Sequence, residues 1–298
     1  MPSAYSARHS FSFRRFLAAG VLVLFAWLSV SPVFAQSVQI GAFEFSNWDG
    51  PVLPIHYAEP DGLSPDAPIV IVMHGVNRNA DDYRDNWIDL ADQYGLAVYA
   101  PEFSKADFPK SKNYNLGGLS NADGRAFDAI DPLFDQIKAR RGVDNAKYYL
   151  FGHSAGAQFV HRFVYFNSDA RFEQAYAANA GWYTLPNTNW DWPYGLKHAP
   201  AKPIAMPDIL SRDLVLLLGD RDIDPTSRNL RQTPEAKAQG QHRFERGFNF
   251  LKVAKEQADR LGVPARWTFQ IIPDVAHDNH GMAIAAAAQI DSHHTGKG

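Results

Sequence analysis

Apolar positions along the chain follow two alternating rhythms. Short runs in which every residue or every second residue is apolar are separated by longer stretches with apolar residues three and four apart. "SVQIGAFEF" (37–45) and "VLPIHYAEP" (52–60) read as strands joined by the turn-rich "SNWDGP". "APIVIVMHG" (67–75) is a continuous apolar run, the pattern of a strand covered on both faces. "NADDYRDNWIDLADQYG" (79–95) has helical spacing and a glycine stop at Gly95. "LAVYAPEF" (96–103) is the next buried strand, and "NADGRAFDAIDPLFDQIKARRG" (121–142) a helix with basic residues in its last turn. "KYYLFG" (147–152), "FEQAYAANAG" (172–181), "LVLLLGD" (214–220) and "ARWTFQIIP" (265–273) read as further strands. "HRFERGFNFLKVAKEQADRLG" (242–262) is a long amphipathic helix, and "HGMAIAAAAQI" (280–290) a closing one.

Strands alternating with helices predict an α/β fold with a mostly parallel central sheet and helices on both faces. The first two strands would form an antiparallel edge. Residues 183–212, "YTLPNTNWDWPYGLKHAPAKPIAMPDILSR", have no period and are rich in Pro, Trp and Tyr. They read as a short aromatic-rich lid insertion over the carboxyl edge of the sheet. "YNLGG" (114–118) follows the "VYAPEF" strand toward the same edge and reads as a turn.

The first 35 residues stand apart. Arg8, Arg14 and Arg15 precede an uncharged run from Phe16 to Val30, and Val33-Phe34-Ala35 is a small-residue cleavage pattern. This is the layout of a secretory signal peptide over 1–35, followed by one domain over 36–298. The apolar run is shorter than the roughly 20 residues that a membrane-spanning helix needs, so no stable membrane anchor is expected. Without that segment the chain keeps 26 basic and 32 acidic residues. No basic stripe or tail points to a nucleic-acid partner. There is no cysteine, which excludes disulfides, a thiol nucleophile and thiolate metal sites.

The candidate chemistry centres on "GHSAG". Gly152-His153-Ser154-Ala155-Gly156 is a G-x-S-x-G pentapeptide set between a predicted strand and a predicted helix. In such a turn a side chain on either glycine would clash with its neighbours, and the serine Oγ is left exposed above a helix N-terminus. That positive end favours the charge that develops in acyl transfer. Ser154 is therefore the candidate nucleophile. An acid and then a histidine should follow in chain order. "LVLLLGDRDIDPTS" offers Asp220, Asp222 and Asp224 just past a buried strand. "FQIIPDVAHDNHGMA" offers His277 and His280, and His277 directly follows the strand exit. One oxyanion donor should be the N–H of Ala155 and the other the N–H of Val76, in the loop after "IVIVMHG". His74 either braces that loop or is a plain strand-end histidine. The D-x-D-x-D spacing lacks the glycine and glutamate of a calcium loop, and "HDNH" is a weak metal signal, so no metal or cofactor is implied.

"HGV", "GHSAG", "GDRD" and "VAHD" in this order resemble an α/β-hydrolase, from about residue 50 to 285. Within that superfamily the chain is similar to secreted esterases of the polyhydroxyalkanoate-depolymerase and feruloyl-esterase type. The resemblance implies an acid three residues after the glycine that ends the strand, which selects Asp222, with Asp224 as the second choice. It implies a Ser154–His277–Asp222 triad that hydrolyses carboxylic esters through an acyl-enzyme. Those relatives often carry a cysteine in the oxyanion loop where this chain has Val76. Substrate would be a small or polymeric ester. His74, His153, Trp182, Tyr183, Trp190 and Trp192 are candidate pocket residues, and the aromatic cluster that includes Tyr194 reads equally as the packing core of the insertion. A peptidase or amidase on the same fold and a non-catalytic binding protein are the alternatives.

Overall fold

A computed structural model describes residues 37–296. The signal-peptide reading of residues 1–35 lies outside the described residues. The strands are β1 (Val38–Phe45), β2 (Leu53–Pro60), β3 (Ile69–Met73), β4 (Ala97–Pro101), β5 (Tyr148–His153), β6 (Phe172–Ala178), β7 (Leu214–Gly219) and β8 (Thr268–Ile272). They form one sheet in the order β1-β2-β4-β3-β5-β6-β7-β8. The β1–β2 and β2–β4 pairs are antiparallel, and the pairs from β3–β4 through β7–β8 are parallel.

The continuous apolar runs are explained by two cores. Successive strand residues point to opposite faces. Ile69, Ile71 and Met73 of β3 therefore join one cluster, and Val70 and Val72 the other. Leu214, Leu216 and Leu218 of β7 go with the first set, Val215 and Leu217 with the second. The first cluster is closed by helices Ile130–Arg141, Ala155–Phe166 and Arg243–Leu261, through residues such as Phe134, Phe163 and Phe250. The second is closed by Ala80–Asp85, Ile88–Tyr94 and Asn279–Thr295, through Trp87, Leu90 and Met282. The result is a three-layer α/β/α arrangement, as the sequence pattern predicts.

Three expectations need adjustment. The helix expected over 79–95 is two short helices. Between them Trp87 is fully buried, with its indole edge-on to Phe151 at 5.1 Å. The helix expected over 121–142 starts later, as a 3-10 turn at Ala126–Ala129 that leads into Ile130–Arg141. The insertion at 183–212, which has no period in the sequence, holds a short helix at Met206–Leu210. Residues 183–187 are buried, Leu185 N–H donates to Tyr194 O, and Ile204 N–H donates to Tyr165 O on the helix beneath. Tyr183, Trp192 and Tyr194 of the segment meet other rings, and Trp190 is exposed.

β8 is the other edge of the sheet. Its first four residues are exposed, with Phe269 at 49 % and Ile271 at 43 %. None of the described helices is long and apolar enough to cross a membrane.

Because Trp87 fills the space between β5 and the two short helices, Trp87→Ala is expected to destabilise the fold by about 3–5 kcal/mol. A urea unfolding midpoint lowered without a change in slope would show it.

Candidate active site

The parallel strands deliver their carboxyl ends to one edge, where ligand sites of open α/β sheets lie. Ser154 follows β5, Asp222 follows β7 and His277 follows β8. Ser154 has φ 59° and ψ −113°, outside the helical and extended regions, and its N–H donates to Ala178 O at 3.0 Å. The flanking glycines are required by their surroundings. A Cβ on Gly152 would lie 2.4 Å from the backbone of Gly156, and one on Gly156 would lie 2.0 Å from Met73 O. Only without side chains can the turn close onto β3 and the helix Ala155–Phe166. Ser154 stands at that helix's N-cap yet makes no capping bond, so its Oγ is free.

That Oγ lies 3.0 Å from His277 Nε2, and His277 Nδ1 lies 2.8 Å from Asp222 Oδ2. With Nδ1–H donating to the carboxylate, Nε2 is left to accept from the serine hydroxyl. Asp222 is 3 % exposed. Its other oxygen accepts from Arg243 Nη1 at 3.1 Å, and that nitrogen also donates to Ser227 Oγ at 2.9 Å. The other two candidate acids are used locally. Asp224 is exposed and accepts from the N–H and Oγ–H of Thr226, bonds that hold its carboxyl below the usual range. Asp220 accepts from Asp274 N–H. His280 is exposed on the helix Asn279–Thr295.

Asn179, fully buried after β6 and at φ 47°, joins the acid loop to the histidine loop. It accepts from Gly219 N–H and donates to Ala276 O, both at 2.9 Å. Neither Asn179 nor Arg243 was singled out in the sequence. The one available signal was Arg243 at the first position of a helix, where a cation opposes the helix dipole and calls for a local anion.

His153 is buried behind the serine. Its ring lies 4.6 Å from that of His277, and its Nδ1 meets Tyr83 OH at 3.2 Å. Burial pushes its pKa well below the usual imidazole range, and His277 adds to the shift. It is thus a neutral neighbour of His277.

Ser154 opens onto a cavity of about 390 Å3. Val76 and Ala155 line it, as expected of oxyanion donors, and the first N–H groups of a helix such as Ala155–Phe166 have no intrahelical partner. Of the aromatic candidates, Trp182 lines the cavity. Tyr183, Trp190 and Trp192 do not. Tyr183 is buried against Phe250 at 4.4 Å, Trp192 is edge-on to Phe166 at 5.5 Å, and Trp190 is a half-exposed residue of the insertion. Tyr183 and Trp192 pack against the body. The "YNLGG" segment, read as a turn facing the active edge, supplies Tyr114 and Asn115 to the wall.

His74 also lies outside the cavity lining. Its Nε2 accepts from Phe103 N–H at 3.0 Å, Nδ1 meets Gly75 O at 3.1 Å, and Tyr114 OH donates to His74 O at 2.7 Å. It braces the Val76 loop from behind. Burial pushes its pKa down to about 3, because a second proton would confront the Phe103 N–H in a dry site.

Comparison with known proteins places the chain beside esterases and depolymerases. Residues 55–178 match the model of the family described as esterase PHB depolymerase. Poly(aspartic acid) hydrolase-1 from Sphingomonas sp. KT-1 is similar in structure, with TM-score 0.80 and 41 % identity over 84 % of this chain and 97 % of that one. A poly(3-hydroxybutyrate) depolymerase from Bordetella parapertussis gives TM-score 0.77 and 33 % identity over 85 % and 89 %. Poly(3-hydroxyalkanoate) depolymerase C of Paucimonas lemoignei is 28 % identical over 102 residues, 33 % of this chain. The chain spans only 24 % of the length of that relative.

Two predictions arise from this geometry. Asn179→Ala frees a buried N–H and a buried C=O and should lower stability by about 1–3 kcal/mol. The shift it allows in His277 should lower kcat/KM about 100-fold, measured on the folded fraction. For His74, the folded pKa near 3 lies below the ordinary 6.5. Between those values the unfolded chain binds a proton that the folded chain does not, so stability falls as pH drops through that window. His74→Gln should flatten the fall in unfolding free energy between pH 6 and pH 4 by about one proton per molecule, seen in urea titrations at each pH.

Proposed function

This chain belongs to the esterase PHB depolymerase family of α/β-hydrolases, and we propose that it is a serine hydrolase that cleaves carboxylic esters through Ser154, His277 and Asp222. The observation that carries this reading is the unbroken hydrogen-bonded line from Ser154 Oγ through the His277 ring to Asp222, at the mouth of a cavity. His277 Nε2 takes the serine proton as Oγ attacks the ester carbonyl carbon. Asp222 stabilises the resulting imidazolium, and Arg243 pins the carboxylate from its far side. The N–H groups of Val76 and Ala155 receive the oxyanion, each worth about 3–4 kcal/mol in the transition state. The ester C–O bond breaks and His277 returns its proton to the leaving alcohol. Water then attacks the acyl-enzyme along the same path, which releases the acid and restores Ser154.

Both relatives that this chain nearly spans are named for polymers, which supports an oligomeric or polymeric acyl substrate. The layout of residues 1–35 supports export, so that substrate would be met outside the cytoplasm. A second reading, hydrolysis of an amide, is favoured by the 41 % identical relative, whose name gives poly(aspartic acid) as its substrate.

Purified protein is expected to hydrolyse p-nitrophenyl butyrate, and Ser154→Ala to lose at least about 1,000-fold in kcat. Equal background rates in the two proteins would sink the ester reading. Turnover of an amide analogue and not of the ester would favour the second.

A further inference from the structure

The cavity at Ser154 is lined by five basic side chains and no carboxylate, in a chain whose formal net charge is −3. Only one of the five, Arg243, meets an acid, namely Asp222. Arg78, Lys105, Lys110 and Arg231 form no ion pair with any described residue. Arg78 is 9 % exposed. Its guanidinium donates to the carbonyls of Phe103, Phe108 and Lys110 at 2.7, 3.1 and 3.1 Å and lies 4.1 Å from the Tyr114 ring centroid. Carbonyl dipoles hold the cation in place but do not cancel its charge.

The layer behind the cavity repeats the pattern. Arg162 is fully buried and donates to Thr184 Oγ1 and to the carbonyls of Asn115 and Gln158. Its Nη2 has no partner among the described residues, and its guanidinium lies 4.3 Å from the ring centroid of Trp182, which lines the cavity. Arg246, also fully buried, donates to the carbonyls of Gly240, Gly181 and Arg231. A buried cation without a counter-ion is costly, and it persists where the surroundings demand it. Low-dielectric walls focus such charges into the cleft. For a neutral polyester this field would do nothing in binding, whereas a carboxylate in the cleft would supply the missing countercharge.

We propose that the substrate is a polyanion, an acyl chain whose scissile linkage is flanked by carboxylates that Lys105, Lys110 and Arg231 receive at the mouth while Arg78 supplies charge from the wall. This assignment rests on the serine hydrolase reading and narrows it to one substrate class. The bond chemistry is unchanged, with water consumed and an acid released.

The test compares two esters with six-carbon acyl chains, the mono-p-nitrophenyl ester of adipic acid and p-nitrophenyl hexanoate, which differ in one terminal carboxylate. The full-length protein is expected to favour the adipate ester about tenfold in kcat/KM at low salt. That preference should shrink as salt rises from about 20 to about 300 mM, where screening shortens the reach of exposed charges. In the Lys110→Gln/Arg231→Gln double variant the ratio of the two kcat/KM values should fall about five- to tenfold. Normal hexanoate turnover with no adipate preference, or a ratio that the variant leaves unmoved, would overturn the proposal while the serine hydrolase reading stands. A binding readout separates the two further. A tetra-aspartate peptide should bind the Ser154→Ala protein in calorimetry and bind more weakly when Lys110→Gln and Arg231→Gln are added. Absence of binding overturns the polyanion assignment whatever the turnover results, and loss of turnover on both esters with binding retained would overturn the ester chemistry alone.

Discussion

Among the described glycines, Gly156 leaves the least room for a side chain: an added methyl group would lie 2.0 Å from Met73 O at the end of β3. The rest of the site depends on that contact. It brings the helix Ala155–Phe166 down onto the sheet so tightly that the chain must reverse within one residue, and Ser154 takes the positive φ that the reversal demands. The same contact sets the Val76 loop, which leaves β3, beside the first turn of the helix. The proposed nucleophile and both proposed oxyanion donors are thus placed by one piece of backbone packing, with the His74 ring bracing the Val76 loop from behind.

The acid and the histidine arrive by a different route. Each leaves a different strand, and each loop would be free to drift without a tie. Asn179 ties them, with one amide facing β7 and the loop before His277 together. Arg243 comes from a helix on one face of the sheet and fixes the carboxylate from behind. The site is therefore half backbone packing and half buried polar contacts, and these two halves respond to different insults. Volume changes disturb the first; loss of a single hydrogen-bonding atom disturbs the second.

Much of this was legible in the residue pattern. Continuous apolar runs such as "IVIVM" mark strands with two covered faces, and the sheet has that form. "GHSAG" was legible because its requirements are local, a turn too tight for side chains. Asp222 was not separable from Asp220 and Asp224 by spacing alone, since all three alternate along one loop. Only the fold shows that Asp224 turns back on Thr226 and Asp220 serves Asp274. The aromatic cluster could not be apportioned between pocket and core for a related reason. Composition shows that Trp and Tyr are concentrated there, but not that Trp182 alone faces the cavity while Tyr183 and Trp192 face the core. Asn179 and Tyr114 act across tens of residues and carry no local signature, and Arg243 carries only its place at the start of a helix.

The exposed edge strand has a consequence for how the protein fails. β8 has a hydrogen-bonded neighbour on one side only, and four of its five residues are exposed. His277 hangs from its end. Segments with few buried contacts open at lower free energy than the body of a domain. The strand that leads to the proposed general base is therefore expected to fray before the doubly covered β3 and β5. Activity is then expected to be lost under heat or mild denaturant before the fold collapses, and to return under native conditions, since the Ser154 half of the site rests on β3 and β5.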